Sequence, residues 1–303
     1  MEWPQKLYTT RSYQQAVTMR LAYPVQKLQD WFTQQWVIIW GKRIEPDAVP
    51  WLMGPFGKLG AIGDDFVTQL AEAEDLIIER NAASHGLIPS IKDLKLSDAE
   101  FIRLSQNIIE FYENTSRYKL TLSVQWNPLF KIFGSLVMSL FSNRIKQLNI
   151  PTNNTEKSDL LNSEIITLKE PKSNDVKYTV WYRTFISTGQ VLYSGVYSTC
   201  TLPCGKICIK AVFPLPKGNA TVIMLPSVGP KGELRLDSSG AKFGDPGFYF
   251  LLSDSKGGFW SQYISSFRDH LTIYWDEETI FGEQTLTLWH QRVLRLNYEI
   301  HRK

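Results

Sequence analysis

The second half of this chain repeats one pattern. Short runs rich in β-branched and aromatic residues recur roughly every ten residues, with Gly, Pro and Asp between them. Candidate strands fall at 164–168, 177–185, 191–199, 206–213, 221–226, 233–237, 248–252, 271–275 and 285–300, and the last is long enough for two strands or one sharply bent one. Gly244-Asp245-Pro246-Gly247 and Asp276-Glu277-Glu278-Thr279 are the clearest turns. A succession of this kind leaves few options: the sheet is antiparallel, and it closes or folds over on itself to protect its edges. One interruption is expected. Phe259, Tyr263 and Phe267 recur at i, i+4 and i+8, which reads as a short helix over 258–269.

The first ~150 residues follow a different period. Val25, Leu28, Phe32 and Trp36 lie at helical spacing after Pro24. A second helix opens at Asp64 or Asp65 and carries Phe66, Val67, Leu70, Ala73 and Ile77 on one face. A third begins with Ser97 and Glu100 in a capping-box arrangement and continues through Phe101, Leu104, Ile108 and Tyr112. A fourth, over 128–148, starts at Pro128 and has a wide apolar face. Before it, Tyr118, Leu120, Leu122 and Val124 alternate with Lys119, Thr121, Ser123 and Gln125, the pattern of a strand with one buried face. The polar stretch 151–160 reads as a linker. The expected fold class is therefore α+β, with a helical N-terminal region over 1–116. A β-rich domain over 117–303 follows, a curved antiparallel sheet or barrel that includes the 128–148 helix. A strand, a long helix and then a many-stranded sheet is also the order of helix-grip barrels, in which a helix closes a curved sheet around an apolar pocket.

Composition narrows the function. Among 303 residues, 33 Lys and Arg stand against 30 Asp and Glu, a net charge of +3, which argues against a nucleic-acid partner bound by phosphate neutralisation. The N-terminal residues show no basic segment followed by an apolar run. The nearest approach to a spanning helix, 129–141, is broken by Lys131 and falls short of the roughly 18 apolar residues required. A cytoplasmic protein with reduced thiols is expected, with peripheral contact to a membrane as an alternative carried by the 128–148 helix and Trp31, Trp36 and Trp40.

Standard catalytic and cofactor motifs are missing: the sequence has neither a G-x-S-x-G elbow nor an H-E-x-x-H pair. Gly54, Gly57, Gly60 and Gly63 precede a helix, but the run lacks a G-K-[ST] ending, and Asp64 and Asp65 would repel phosphate, so it reads as a connector. Cys200, Cys204 and Cys208 surround a Pro203–Gly205 turn, and two reduced thiols facing each other across strands are expected there rather than a metal. No metal or cofactor is expected. Acid/base candidates are His270, His290 and Glu283.

The unusual feature is aromatic content: 10 Trp, 13 Tyr and 16 Phe. Along 177–185 both parities carry aromatic rings, with Tyr178 and Tyr182 on one and Trp181 on the other. Such strands suit a barrel whose inside is an apolar cavity and whose outside meets helices. Candidate ligand contacts are Trp181, Tyr182, Arg183, Tyr193, Tyr249, Trp275 and Arg292. Arg183 lies on an otherwise apolar strand, where a charge must either face water at an edge or find a partner inside. The expected function is binding of a hydrophobic small molecule or lipid in the barrel. The alternatives are a metal-independent cyclase, isomerase or dehydratase acting on a hydrophobic substrate, and a peripheral membrane or protein-interaction module.

Overall fold

The computed structural model describes residues 28–57, 65–80, 85–130, 150–151 and 159–303. Helix α1 (Leu28–Trp40) leads into the three-residue strand β1 (Lys42–Ile44). Helix α2 (Asp65–Glu74) is followed by β2 (Ile77–Arg80), and α3 (Asp98–Arg103) and α4 (Gln106–Glu113) precede β3 (Tyr118–Trp126). From β3 onward the described chain is almost all strand. These strands are β4 (Asp159–Lys169), β5 (Val176–Phe185), β6 (Val191–Thr201), β7 (Ile207–Leu215), β8 (Gly218–Val228), β9 (Leu234–Asp237), β10 (Gly247–Ser253), β11 (Phe259–Tyr263), β12 (Phe267–Asp276), β13 (Thr279–Leu288) and β14 (Gln291–Arg302).

Ten of these strands close a barrel in the order β8-β7-β6-β5-β4-β3-β14-β13-β12-β9, and β9 returns to β8. Every pairing between named strands is antiparallel. Closure works because β8 is shared. Its first residues, Gly218 to Ile223, pair with β10, and its last, Leu225 to Val228, pair with β9. The arm β10-β11-β1 therefore branches from the barrel wall, and β2 pairs with β4 on another side. The fold is α+β: a few helices, then a closed antiparallel barrel with extra strands.

A period of two gives each strand an inner and an outer face. Inward residues of β3 to β9 and β12 to β14 form the main core, with Leu120, Trp181, Ile209, Leu236 and Leu296 among them. The outer face of β4 to β7 is apolar too, and α2 covers it: Phe66, Val67 and Leu70 pack with Ile166, Val180 and Tyr182. A third cluster lies beneath the stretch around Trp51 and Leu52, which meets Cys200, Cys208, Ile223 and Tyr249. The rings seen on both parities of β5 thus serve two different cores.

Several boundaries differ from expectation, each for a local reason. No helix spans 258–269; this stretch is β11 and the start of β12. A spacing of four fits a period of two as well as one of 3.6, and pairing of Phe259–Tyr263 with both β1 and β10 selects the strand. The third helix is split, because Leu104 is extended (ψ 129°) and Ser105 N–H donates to Gly232 O, while the Ser97–Glu100 capping box forms as expected. Over residues 31–40 of α1 the buried ones are Gln34, Gln35, Val37 and Ile38, whereas Phe32, one of the residues at helical spacing, is 59% exposed, and Val25 lies outside the described residues. Helix α2 ends at Glu74, with Asp75 left-handed (φ 52°), so Ile77 joins β2 instead. Asp159 and Leu160, read as linker, begin β4. Only the first turn of the 128–148 helix, 128–130, is described; its remainder, most of the 151–160 linker, and Gly60 and Gly63 lie outside the described residues.

Candidate ligand cavity

The barrel holds a cavity of about 600 Å³ that is partly open, and Trp36 of α1, Phe111 and Tyr112 of α4 and Phe248 and Phe250 of β10 also line it. Its wall is mainly aliphatic and aromatic, with Ile209, Val222, Met224, Leu236, Leu286 and Leu294 among the lining residues. The position of each strand residue follows from parity. Phe267, Asp269, Leu271 and Ile273 of β12 point inward, as do Gly282, Gln284, Leu286 and Leu288 of β13. Trp181 and Arg183 of β5 and Tyr193 and Tyr197 of β6 complete the opposite wall. Ala211 and Ala220, small residues on β7 and β8, leave room that longer side chains would fill.

Among the lining side chains, Arg183, Tyr193, Tyr197, Asp269, Gln284 and Tyr298 carry polar groups that face one another, and the hydroxyl of Tyr112 lies close to that of Tyr197. Arg183 Nη2 donates to Tyr197 Oη at 3.3 Å. The guanidinium carbon lies 3.9 Å from the ring centroid of Trp181 and 4.7 Å from that of Tyr193, so the charge rests against two aromatic faces. Trp181 is itself held by Nε1–H donating to Ser163 Oγ at 2.9 Å. Arg183 is 5% exposed, and its Nε has no hydrogen-bond partner.

Across the cavity, Gln284 Nε2 donates to Asp269 Oδ2 at 2.7 Å, and Tyr298 Oη donates to Gln284 Oε1 at 3.4 Å. Asp269 is also 5% exposed, and its Oδ1 is unpaired. Burial pushes its carboxyl up to about 7; the hydrogen bond from Gln284 opposes that rise and repulsion from Asp237 adds to it. Burial likewise raises the hydroxyls of Tyr193 and Tyr197, so both remain neutral donors at neutral pH.

The residues singled out from the sequence divide by parity. Trp181, Arg183 and Tyr193 line the cavity. Tyr182 points out of the barrel into the cluster beneath α2, and Tyr249, on the β10 arm, is buried in the cluster around Trp51. Trp275 is 38% exposed, near the end of β12. Arg292 is exposed at the start of β14, where its carbonyl accepts from Asn127 Nδ2. The acid/base candidates are all outside. His270 points outward, with Nδ1 3.0 Å from Asp237 Oδ2. The exposed Glu283 accepts from Tyr274 Oη at 3.0 Å. His290 occupies the two-residue β13–β14 turn with Trp289, both left-handed (φ 63° and 48°) as a type I′ hairpin requires.

Asp269, Gln284, Tyr197 and Tyr298 were not singled out from the sequence. The signal for Asp269 was its parity with Leu271 and Ile273, hidden by reading 258–269 as helix. Cys200 and Cys208 face each other across β6 and β7 as free thiols. Burial raises them to about 11 and about 12 respectively.

No family model matches the chain, and no solved structure matches it. Over 191 residues it is 26% identical to the "Uncharacterized membrane protein YndJ" of Bacillus subtilis (strain 168). The alignment covers 63% of this chain and 33% of that protein, so the match spans about a third of the relative's length. Among the described residues, no helix is long and apolar enough to cross a membrane, a statement that does not concern strands.

Proposed function

We propose that this chain binds a hydrophobic small molecule or lipid inside the barrel. The observation that carries the reading is the cavity of about 600 Å³, a size in the range of small-molecule sites, with apolar walls and a few convergent polar groups. A solid barrel of these residues would be more stable, since each unfilled volume forfeits packing contacts. Binding is favoured over catalysis because His270, His290 and Glu283 lie outside the interior. The test is fluorescence of a neutral, environment-sensitive dye, N-phenyl-1-naphthylamine, titrated with the full chain. Saturable enhancement is expected, displaced by long-chain lipids; no enhancement at any concentration contradicts the reading.

A second reading concerns where the ligand is met. Phe130, Phe267, Leu288 and Val293 line one end of the cavity. Close by are the exposed Leu129 and Trp289, the latter donating its N–H to Ser266 O. This apolar rim, with the membrane-protein name of the relative, supports docking of that end on a bilayer. Co-flotation with phosphatidylcholine vesicles, reduced by Trp289→Ser, is expected; a protein that stays at the bottom of the gradient contradicts it.

A further inference from the structure

An arginine in a greasy cavity needs an explanation. A buried cation is costly unless paired, and replacement by an apolar residue would ordinarily be the more stable choice. Among the described residues, no carboxylate lies within 4.0 Å of the Arg183 nitrogens. What the guanidinium does have is two aromatic faces and two phenol oxygens, that of Tyr197, which accepts from it at 3.3 Å, and that of Tyr298, which it also attracts. Stacking occupies the faces of the planar group and leaves its hydrogen-bonding edge available. The unpaired Nε belongs to that edge. Tyr197, having accepted from Arg183, still carries a hydroxyl proton, and Tyr193 adds a second phenol beside the guanidinium.

We propose that the guest is a single-chain amphiphile with a carboxylate head, and that Arg183, with the hydroxyls of Tyr193 and Tyr197, receives that head while the apolar wall holds the chain. This rests on the cavity-binding reading above and specifies its ligand class. A carboxylate fits for two reasons. Its two oxygens match the guanidinium fork in one plane. Its single negative charge balances the single positive one, whereas a phosphate monoester, with nearly two charges at neutral pH, would leave excess negative charge in an apolar site facing Asp269. Asp269 suits the same guest, because a carboxyl that burial pushes toward neutrality sheds its charge readily when an anion arrives.

The experiment is competition against the neutral dye N-phenyl-1-naphthylamine, with oleic acid and oleyl alcohol as competitors at pH 7 and concentrations below micelle formation. Both have the same chain; only the head differs. Wild-type protein is expected to prefer the acid by roughly tenfold or more, the usual worth of a buried charge-assisted hydrogen bond. In Arg183→Met the preference of acid over alcohol is expected to vanish. Equal displacement by acid and alcohol from wild type overturns the carboxylate assignment and leaves the cavity reading intact. Failure of the wild type to bind dye, acid or alcohol overturns both. The wild-type comparison needs no variant, so it decides the matter even if Arg183→Met folds poorly.

Discussion

Gln284 and Asp269 are diagonal neighbours on β13 and β12, and the Gln284 amide donates to the Asp269 carboxylate at 2.7 Å inside the barrel wall. This bond opposes the burial that raises Asp269 to about 7. The unfolded carboxyl titrates near 3.9. Between these values the folded chain holds a proton that the unfolded chain has released, so stability falls as pH rises through the window and stays low above it. Asp269→Asn keeps an acceptor for Gln284 and removes the titration. Its thermal midpoint is expected to match wild type near pH 4 and to exceed it by several degrees at pH 8, on the order of a few kcal/mol. Parallel melting curves across pH 4–8 would contradict the buried charge.

The same group couples binding to protons. Asp269 faces Gln284 and Tyr298 from β13 and β14, Tyr193 and Tyr197 from β6 and Arg183 from β5, and it is repelled by Asp237 of β9, which lies on the outer face and pairs with the outward His270. Because ionised Asp269 repels an anionic head, oleate affinity is expected to rise as pH falls from 8.5 to 6.5, with the slope lost in Asp269→Asn. Titration calorimetry in buffers of different ionisation enthalpy checks this through proton uptake.

Arg183→Met is expected to raise the melting temperature of the ligand-free chain by a few degrees. A desolvated cation without a carboxylate partner is exchanged for an apolar side chain of similar length. Differential scanning calorimetry measures the change, and a lowered midpoint would show that stacking on Trp181 and Tyr193 already compensates the charge.

Ala211 and Ala220 face the void. Ala211→Leu fills part of it and is expected to gain roughly 0.5–2 kcal/mol in urea denaturation while weakening dye binding. A loss of stability would mean that the site has no room.

The three cysteines give an independent check on the wall. Cys204 is exposed, whereas Cys200 and Cys208 are buried with raised thiols. With Ellman's reagent at pH 8, one thiol per native chain is expected to react quickly and three after denaturation, since only thiolates attack. Three fast thiols in the native state would contradict the packing of Cys200 and Cys208 beneath Trp51 and Leu52.

Much of the barrel was legible because period-two alternation with intervening turns survives in sequence: the alternation from Tyr118 to Gln125 lies within β3 (Tyr118–Trp126). Closure was legible only as a tendency, since nothing local announces that β8 divides its length between β10 and β9. The polar floor of the cavity was half legible. Arg183 stood out as a charge among apolar neighbours. Asp269 was overshadowed by His270, which is a more familiar acid/base group but occupies the opposite face. One residue of phase separates the inside of this barrel from its outside, and that phase is set by pairing partners far away in the chain. In α1 the helical spacing was legible only in part: Trp36 packs edge-on to Phe250 and lines the cavity, whereas Phe32 is exposed.

Whether the barrel is a container for one apolar guest is tested most directly by native mass spectrometry of the full chain, purified without organic solvent or added lipid. A species heavier than the 34.9 kDa chain by one small amphiphile is expected, released on denaturation and identified in the extract, and diminished in Ala211→Leu. A bare chain that also takes up no lipid when lipid is offered would contradict it.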